Sequence, residues 1–288
     1  MPPTAVLPPP SREQTQARLH LHAVLPALEE LVRLVPTART LVTGWRCSLR
    51  LRLPGPSGGT AATLVSPGDG TLAVHRHADT PAQITLRFLS ARQLNRTFLN
   101  QRALPPLPLG APWHLPKLGT FTRLARELDA ALQPAPGALD DPAYRERHVR
   151  LLFRVLLGAL PVLAAGDPVS RHSLSHTPGG TAQIRLPALD LSGWVRWQAG
   201  NLTAGAGDLP GGSGPDVIIT FTDRSTADAA LLGRLDANAA VGLGDVTVRG
   251  LVPLADGLGV VMDRVEGFLK PPGTAAHPTA LGVTAAAG

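Results

Sequence analysis

The same order of predicted secondary-structure elements occurs twice along this 288-residue chain. Each half begins with an apolar helix, because apolar residues recur at helical spacing over 21–35 and again over 149–160. Strand-like, turn-rich sequence follows in each half. The last of these strands then runs directly into a short helix, and Phe88 and Phe221 hold equivalent places in the two copies of this step. The repetition restricts the chain to two similar units.

The boundaries of these units follow from the local sequence. Strands are predicted over residues 45–53, 60–65, 72–77 and 83–88, and then over Ser173–His176, 182–186, 194–197 and 217–222. Each half closes with an apolar helix, preceded by Pro116 in the first half and Pro253 in the second. We predict a flexible lead (1–10), a first repeat (11–134), a second repeat (135–270) and a disordered tail (271–288), joined by the Pro/Gly/Asp-rich linker 133–141.

Composition excludes several classes of protein. A chain with 44% hydrophobic and 17% charged residues is not wholly disordered, and 4% aromatic residues argue against base stacking on aromatic platforms. The single cysteine, Cys47, excludes an intramolecular disulfide and is predicted to be a buried, unreactive thiol. No uninterrupted apolar run reaches the roughly 18 residues of a membrane span, and the N-terminus lacks the features of a secretory signal. We therefore expect a cytoplasmic protein that does not bind nucleic acid.

Charge is divided unevenly between the two repeats. Residues 11–134 hold 15 Lys and Arg against 7 Asp and Glu, a net +8, whereas residues 135–270 hold 12 against 14, a net −2. The simpler interpretation is that a basic half packs beside a mildly acidic half. The alternative is that the first repeat makes weak contact with an anionic membrane surface, where each basic residue contributes about 1 kcal/mol.

The segment Leu235 to Leu269 carries the most distinctive pattern. It contains a helical turn (Asp236–Val241), a short alternating strand (245–249), Gly250 and then an amphipathic helix. Together with the preceding strand and short helix, it resembles the C-terminal part of the sterol carrier protein 2 family of lipid-binding domains. The resemblance extends over Val217 to Leu269, and the first half matches only in the order of its elements.

This resemblance implies an α+β fold, in which a tandem duplication gives two sterol-carrier-like domains. In each, a mostly antiparallel twisted sheet is covered by helices, with an apolar tunnel between them that holds a fatty acyl chain, a sterol or an isoprenoid. In the first half, the proline-rich stretch ALPPLPLGAPWHLP replaces the last strand. Because proline cannot donate to a strand ladder, this stretch argues against a fifth strand and for an altered or closed cavity there.

The lipid-binding residues are expected on the last strand of the second repeat and on its closing helix, and one further residue, Leu232, precedes that strand. They are Leu232, Val246, Val248, Leu251, Leu258, Val261, Met262 and Val265. Methionine suits an adaptable apolar wall, and transfer into such a site is favourable by about 0.8 kcal/mol per methylene. The alternative is that these side chains only fill the core.

Motifs for catalysis are missing from the sequence. It contains neither a Gly-x-Ser-x-Gly elbow nor a phosphate-binding glycine loop before a helix. His172 with His176, if helical, and His75 with His77, on one face of a predicted strand, have spacings that could hold a metal, and Asp79 would join the second pair only if that strand continued. Solvated or hydrogen-bonded histidines are the favoured interpretation. Asp223 is predicted to cap the following short helix. No cofactor, metal or catalytic residue is expected.

Two functions from different classes agree with these observations. The first is non-catalytic binding or transfer of an apolar lipid in a hydrophobic tunnel. The second is a scaffold or accessory protein, without a ligand of its own, that supports a lipid- or quinone-related complex. An enzyme is the third and least supported alternative, and the oligomeric state stays open.

Overall fold

A computed structural model describes residues 10–55, 59–76, 80–211, 214–231, 240 and 242–269. Leu232, His77, Asp79, the C-terminal tail and all but Ala240 of the predicted turn 236–241 lie outside these described residues. The described chain has an α+β fold with two five-stranded mixed sheets, each covered by helices.

The described part of the first half contains five helices and five strands, with one π-helical turn and one 3-10 helix. They are α1 (Arg12–Leu19), the π-helical turn (His20–Val24), α2 (Ala27–Leu34), α3 (Pro36–Val42), β1 (Cys47–Leu53), β2 (Thr60–Ser66), β3 (Ala73–His75), β4 (Ile84–Arg87), α4 (Ala91–Phe98), β5 (Leu107–Gly110), the 3-10 helix Pro112–Lys117 and α5 (Leu118–Leu132). Another 3-10 turn, Ala138–Asp140, lies in the predicted linker.

The second half follows the same order. It contains α6 (Pro142–Gly166), α7 (Pro168–Ser175), β6 (Gly180–Leu186), a 3-10 turn (Pro187–Leu189), β7 (Leu191–Gln198), β8 (Asn201–Ala206), β9 (Val217–Phe221), α8 (Arg224–Leu231), β10 (Val246–Gly250) and α9 (Val252–Leu269).

The two sheets have identical connectivity. The strand order is β3-β2-β1-β4-β5 in the first and β8-β7-β6-β9-β10 in the second. In each, the central strand pairs antiparallel with the next strand in sequence and parallel with the fourth, and the remaining pairs are antiparallel. The register of the parallel pair is also the same in both sheets. Leu49 pairs with Ile84 in the first, and Ala182 pairs with Val217 in the second, so that the partners are equally far apart along the chain.

Two sequence predictions about local structure were wrong. The segment Ser173–His176 is the end of helix α7 and not a strand, because the carboxylate of Asp167 accepts the Ser170 N–H at the helix start and Pro168 occupies its first turn. The proline-rich stretch does contain a fifth strand, β5. It lies at the edge of its sheet, where Pro108 is tolerated because one side of the strand has no partner.

Helix α6 connects the two halves. It packs against β7 and β8 of its own sheet and against α1, the π-helical turn and α2 of the first half. A Cβ atom at Gly158 would lie 2.8 Å from the Cα of Ala23, so a glycine permits the close approach of the two helices. The ion pair between Arg154 and Glu29, 3.0 Å apart, joins the halves at the same interface.

Helix α6 is also long and apolar enough to cross a membrane by length and composition. Its most apolar 18-residue window has a mean hydropathy of 1.8, and 67% of that window is buried within the fold. The same pattern is expected for a helix that is surrounded by protein on most sides.

Candidate functional site

The inner face of the second sheet is an apolar layer. Alternation along β6 points Ala182, Ile184 and Leu186 towards the helices, and the same alternation on β9 buries Val217, Ile219 and Phe221. The register continues this layer into β10, where Val248 pairs with Ile219 and Val246 with Phe221. The side of the sheet that faces the helices is therefore apolar across three strands.

Helix α9 covers this layer. The predicted residues Leu258, Val261 and Val265 are buried along one stripe of the helix, and α9 contacts β6, β9 and β10. A Cβ atom at Gly180 would lie 3.0 Å from Cδ2 of Leu254, which shows how closely helix and sheet approach. The structure thus brings the predicted residues of the strand and of the helix into one core.

Cover is incomplete at the β10 edge of the layer. Val248, Leu251 and Met262 pack against the buried core but are only half-buried, although Val248 is on the same face as the buried Val246. Helix α6 packs on β7 and β8, beside this layer, whereas apolar side chains on β10, on α9 and at the turn between them stay partly exposed. Of the eight predicted residues, only Leu232 is outside the described chain.

The far end of α9 is fixed by an ion pair that the sequence did not predict. Arg264 lies 3.0 Å from the buried carboxylate of Asp167, which also accepts hydrogen bonds from the backbone and hydroxyl of Ser170. Burial alone would raise the pKa of Asp167, but the hydrogen bonds from Arg264 and Ser170 outweigh it and hold this pKa below its ordinary value. Asp167 therefore acts as a charged link between α7 and α9.

The turn from β10 into α9 depends on Gly250. Its φ is 107°, and a Cβ atom there would lie 2.2 Å from the carbonyl oxygen of Asp216. That carbonyl accepts the N–H of Leu251. The carboxylate of Asp216 accepts the hydroxyl and the backbone N–H of Thr181, and these two hydrogen bonds lower its pKa.

The first half repeats this turn at residue level. Gly110 has a φ of 144°, and a Cβ atom there would lie 2.4 Å from the carbonyl oxygen of Gln83. The N–H of Gln83 donates to Ser48, as that of Asp216 donates to Thr181. Ser48 and Thr181 are at equivalent positions on the central strands, so the whole turn occurs twice.

The closing helices of the two halves differ in what they cover. Leu124 and Leu128 of α5 are buried, but α5 packs chiefly against α2, α3 and α6, whereas α9 lies on its own sheet. All four residues of β5 are exposed. A shallow, open groove of about 380 Å³ runs beside the end of α4 and the stretch before β5. The first half therefore lacks the close helix-on-sheet cover of the second.

Two of the residues singled out by sequence, Asp223 and Cys47, have structural roles. Asp223 caps α8 as predicted, with its carboxylate accepting the N–H of Thr226 at 2.7 Å. Cys47 is buried, and this burial raises the pKa of its thiol. The rings of His172 and His176 lie 4.7 Å apart at the exposed end of α7. Among the described residues, no three His, Cys, Asp or Glu side chains form a group that could hold a metal ion.

No family model and no curated protein matches the chain. Similar solved structures include sterol carrier protein domain 2 of Helicoverpa armigera, with 17% identity over 40% of this chain and 89% of that chain, at a TM-score of 0.32. They also include a UbiJ-SCP2 ubiquinone synthesis protein, with 13% identity over 41% of this chain and 93% of that chain, at a TM-score of 0.32. A possible sterol carrier protein from Thermus thermophilus has 19% identity over 37% of this chain and 80% of that chain, at a TM-score of 0.27.

Proposed function

We propose that the protein binds an apolar lipid, without catalysis, between the second sheet and helix α9. The observation that carries this proposal is the apolar layer beneath α9, which is half-exposed at Val248, Leu251 and Met262. The fitting ligand class is a fatty acyl chain, a sterol-like molecule or an isoprenoid. In this proposal the two halves are divergent tandem copies of a sterol-carrier-like unit, and the second copy is the binder.

The chemistry of the layer supports an apolar ligand. Its described side chains on β6, β9 and α9 are aliphatic or aromatic, and the polar residues of β6, Gln183 and Arg185, lie on the opposite face of the sheet. Each methylene group transferred from water into such a layer contributes about 0.8 kcal/mol. An acyl chain can therefore bind here without a charged partner.

A packed scaffold without a ligand is the second candidate, and one observation favours it. A Cβ atom at Gly193 would lie 2.7 Å from Cδ1 of Leu157, and one at Gly257 would lie 2.0 Å from Oγ1 of Thr177. Because these two contacts are made at glycines, α6 approaches β7 closely, and α9 approaches Thr177, just after the end of α7, without intervening space. The space between α6 and β7 is therefore filled by the side chains of α6.

The two candidates differ in their response to Met262→Trp. A half-buried methionine beside an open apolar layer can become tryptophan without overpacking, and the larger ring then occupies the space of the ligand. We expect this variant to keep its melting temperature and to lose at least tenfold in affinity for a fluorescent fatty acid. The measurement is a titration of the full chain, accompanied by native mass spectrometry of the purified wild type for co-purified lipid.

Val260→Trp is the matched control, because Val260 is exposed on the outer side of the same helix. It should leave fatty-acid binding unchanged. Met262→Glu should also abolish binding, since an unpaired carboxylate in an apolar space is costly. A wild type that binds no lipid, combined with a Met262→Trp variant destabilised by the about 1–3 kcal/mol typical of overpacking, would favour the scaffold.

A further inference from the structure

We infer that the first half carries a docking surface for anionic membranes, built on the exposed edge strand β5 and the 3-10 helix that follows it. Four large apolar side chains define this surface, which we term the Leu–Trp edge. They are Leu104, Leu107, Leu109 and Trp113, with exposed fractions of 74%, 49%, 50% and 76%. Exposed apolar side chains concentrated in one short stretch indicate an interaction site.

The stretch that contains the Leu–Trp edge has one sign of charge. Between residues 80 and 126 the sequence has seven Lys and Arg residues and no Asp or Glu. The same stretch accounts for six of the ten large hydrophobic side chains that are exposed in the described part of the chain. Apolar exposure and positive charge therefore coincide along this stretch of the sequence, a combination that favours docking to an anionic membrane.

Strand register places the charges beside the apolar side chains. Leu107 pairs with Arg87 across the β4–β5 ladder, and Arg87 pairs with Arg52 across the β1–β4 ladder. Because side chains at paired positions point to the same face, these three residues form a row on the side of the sheet away from the helices. No ion pair between described residues includes Arg52 or Arg87.

The Leu–Trp edge is held in place by the fold. The side chain of Gln93 donates to the carbonyls of Leu104 and Pro105 and accepts the N–H of Leu89. At the other end, Nζ of Lys117 donates to the carbonyl of Arg46 at 2.6 Å. A fixed edge loses little conformational entropy on docking, so its apolar area is available for binding.

A membrane fits this surface better than an added strand from a protein partner. Proline occupies positions 105, 106 and 108, so the edge has few N–H groups to offer a pairing strand. Tryptophan, in contrast, is favoured at the boundary between water and hydrocarbon, where its ring is buried and its N–H stays hydrated. The inference does not depend on the lipid ligand proposed for the second half.

The test is co-sedimentation of the full chain with vesicles of phosphatidylcholine alone or with about 30% phosphatidylglycerol, at low and high salt. We expect binding to the anionic vesicles that is lost at high salt, because surface charges are screened over about 10 Å at 0.1 M and less at higher concentration. Removing one arginine, by Arg52→Gln or Arg87→Gln, should weaken binding about fivefold, which corresponds to about 1 kcal/mol. Trp113→Ser should weaken it further.

Two matched controls come from the second half. Arg185→Gln removes an exposed arginine at the position equivalent to Arg52, and Val169→Ser removes an exposed apolar side chain. Neither should change vesicle binding, and all variants should keep the wild-type melting temperature. Equal binding to neutral and anionic vesicles, or equal loss in the controls, would overturn the inference. A dimer that Trp113→Ser dissociates, without vesicle binding, would assign the edge to a protein partner instead.

Discussion

His20 is a buried histidine whose ring makes no hydrogen bond to the described part of the chain. Its ring stacks on Phe98 with 4.9 Å between centroids, and neither ring nitrogen has a partner among the described residues. Burial lowers its pKa from 6.5 to about 4, because the charged form would lose its hydration without compensation. The neutral ring is therefore part of the apolar core of the first half.

Stability should consequently depend on pH in a defined window. Between pH 6.5 and about 4 the unfolded chain protonates His20 and the folded chain does not, so stability falls as the pH falls through this range. We expect a loss of about 3 kcal/mol in the free energy of unfolding from this group. Urea unfolding at about pH 7, 5.5 and 4.5 measures it.

The matched variant for this measurement is His20→Leu, which keeps an apolar side chain at the site and removes the titration. Its stability should change less over the same range of pH. The link between Asp167 and Arg264 does not obscure the result, because the pKa of Asp167 is already below its ordinary value. The stability it contributes is lost only at more acidic pH. Parallel pH profiles for wild type and variant would contradict the role of His20.

Individual residues could be predicted from sequence where the signal was local. Asp223 was assigned as a helix cap because it stands directly before a helical pattern, and the structure confirms it. Asp167 precedes a proline at a helix start in the same way, yet its partner Arg264 is 97 residues distant. A pairing over that separation is decided by how α7 and α9 pack, so no local pattern contains it.

At the scale of elements, alternation and spacing predicted most of the strands and both closing helices. Helix α7 was missed because its serines, histidines and flanking glycines weaken a helical pattern that tertiary packing then stabilises. Strand β8 was missed because its sequence, NLTAGA, has one large apolar residue, and its pairing with β7 is what orders it. Strand β5 forms despite its proline because it lies at an edge.

The repeated turn before each closing helix gives a prediction at this scale. Gly250→Ala and Gly110→Ala should each lower the free energy of unfolding by about 2–4 kcal/mol, because the added methyl group combines a left-handed backbone with a clash against a carbonyl oxygen. Chemical denaturation of each variant provides the measurement.

Gly259→Ala is the control for these two substitutions. Gly259 lies within α9, and a Cβ atom there would meet no described atom within 4 Å. Alanine should therefore stabilise the helix by about 0.5–1 kcal/mol. If Gly250→Ala were as well tolerated as Gly259→Ala, the turn would not require glycine, and its equivalence with the turn at Gly110 would lose its physical basis.

At the scale of the whole molecule, the two halves share one helix. The sequence predicted the repeat, and the two sheets have the connectivity that it requires. It did not predict how the halves pack. The sequence did indicate that α6 is buried on several sides. Residues 151–165 are apolar all around the helix except at Arg154, and a helix of that kind is surrounded by protein. Arg154 itself forms the ion pair with the other half.

Because α6 belongs to both cores, we expect the chain to unfold in one cooperative transition. Gly158→Leu should disturb both halves, since even a Cβ atom there lies 2.8 Å from Ala23 and a larger side chain forces the helices apart. Overpacking of this kind costs about 1–3 kcal/mol.

Gly119→Leu is the matched control, because Gly119 is exposed on α5 with no described atom within 4 Å of its Cβ position. Hydrogen exchange of the amides in β1 and β6 should show equal loss of protection in the two sheets of Gly158→Leu and none in Gly119→Leu. Loss confined to one sheet, or two separate thermal transitions in the wild type, would mean that each repeat folds alone and that α6 is only a contact between them.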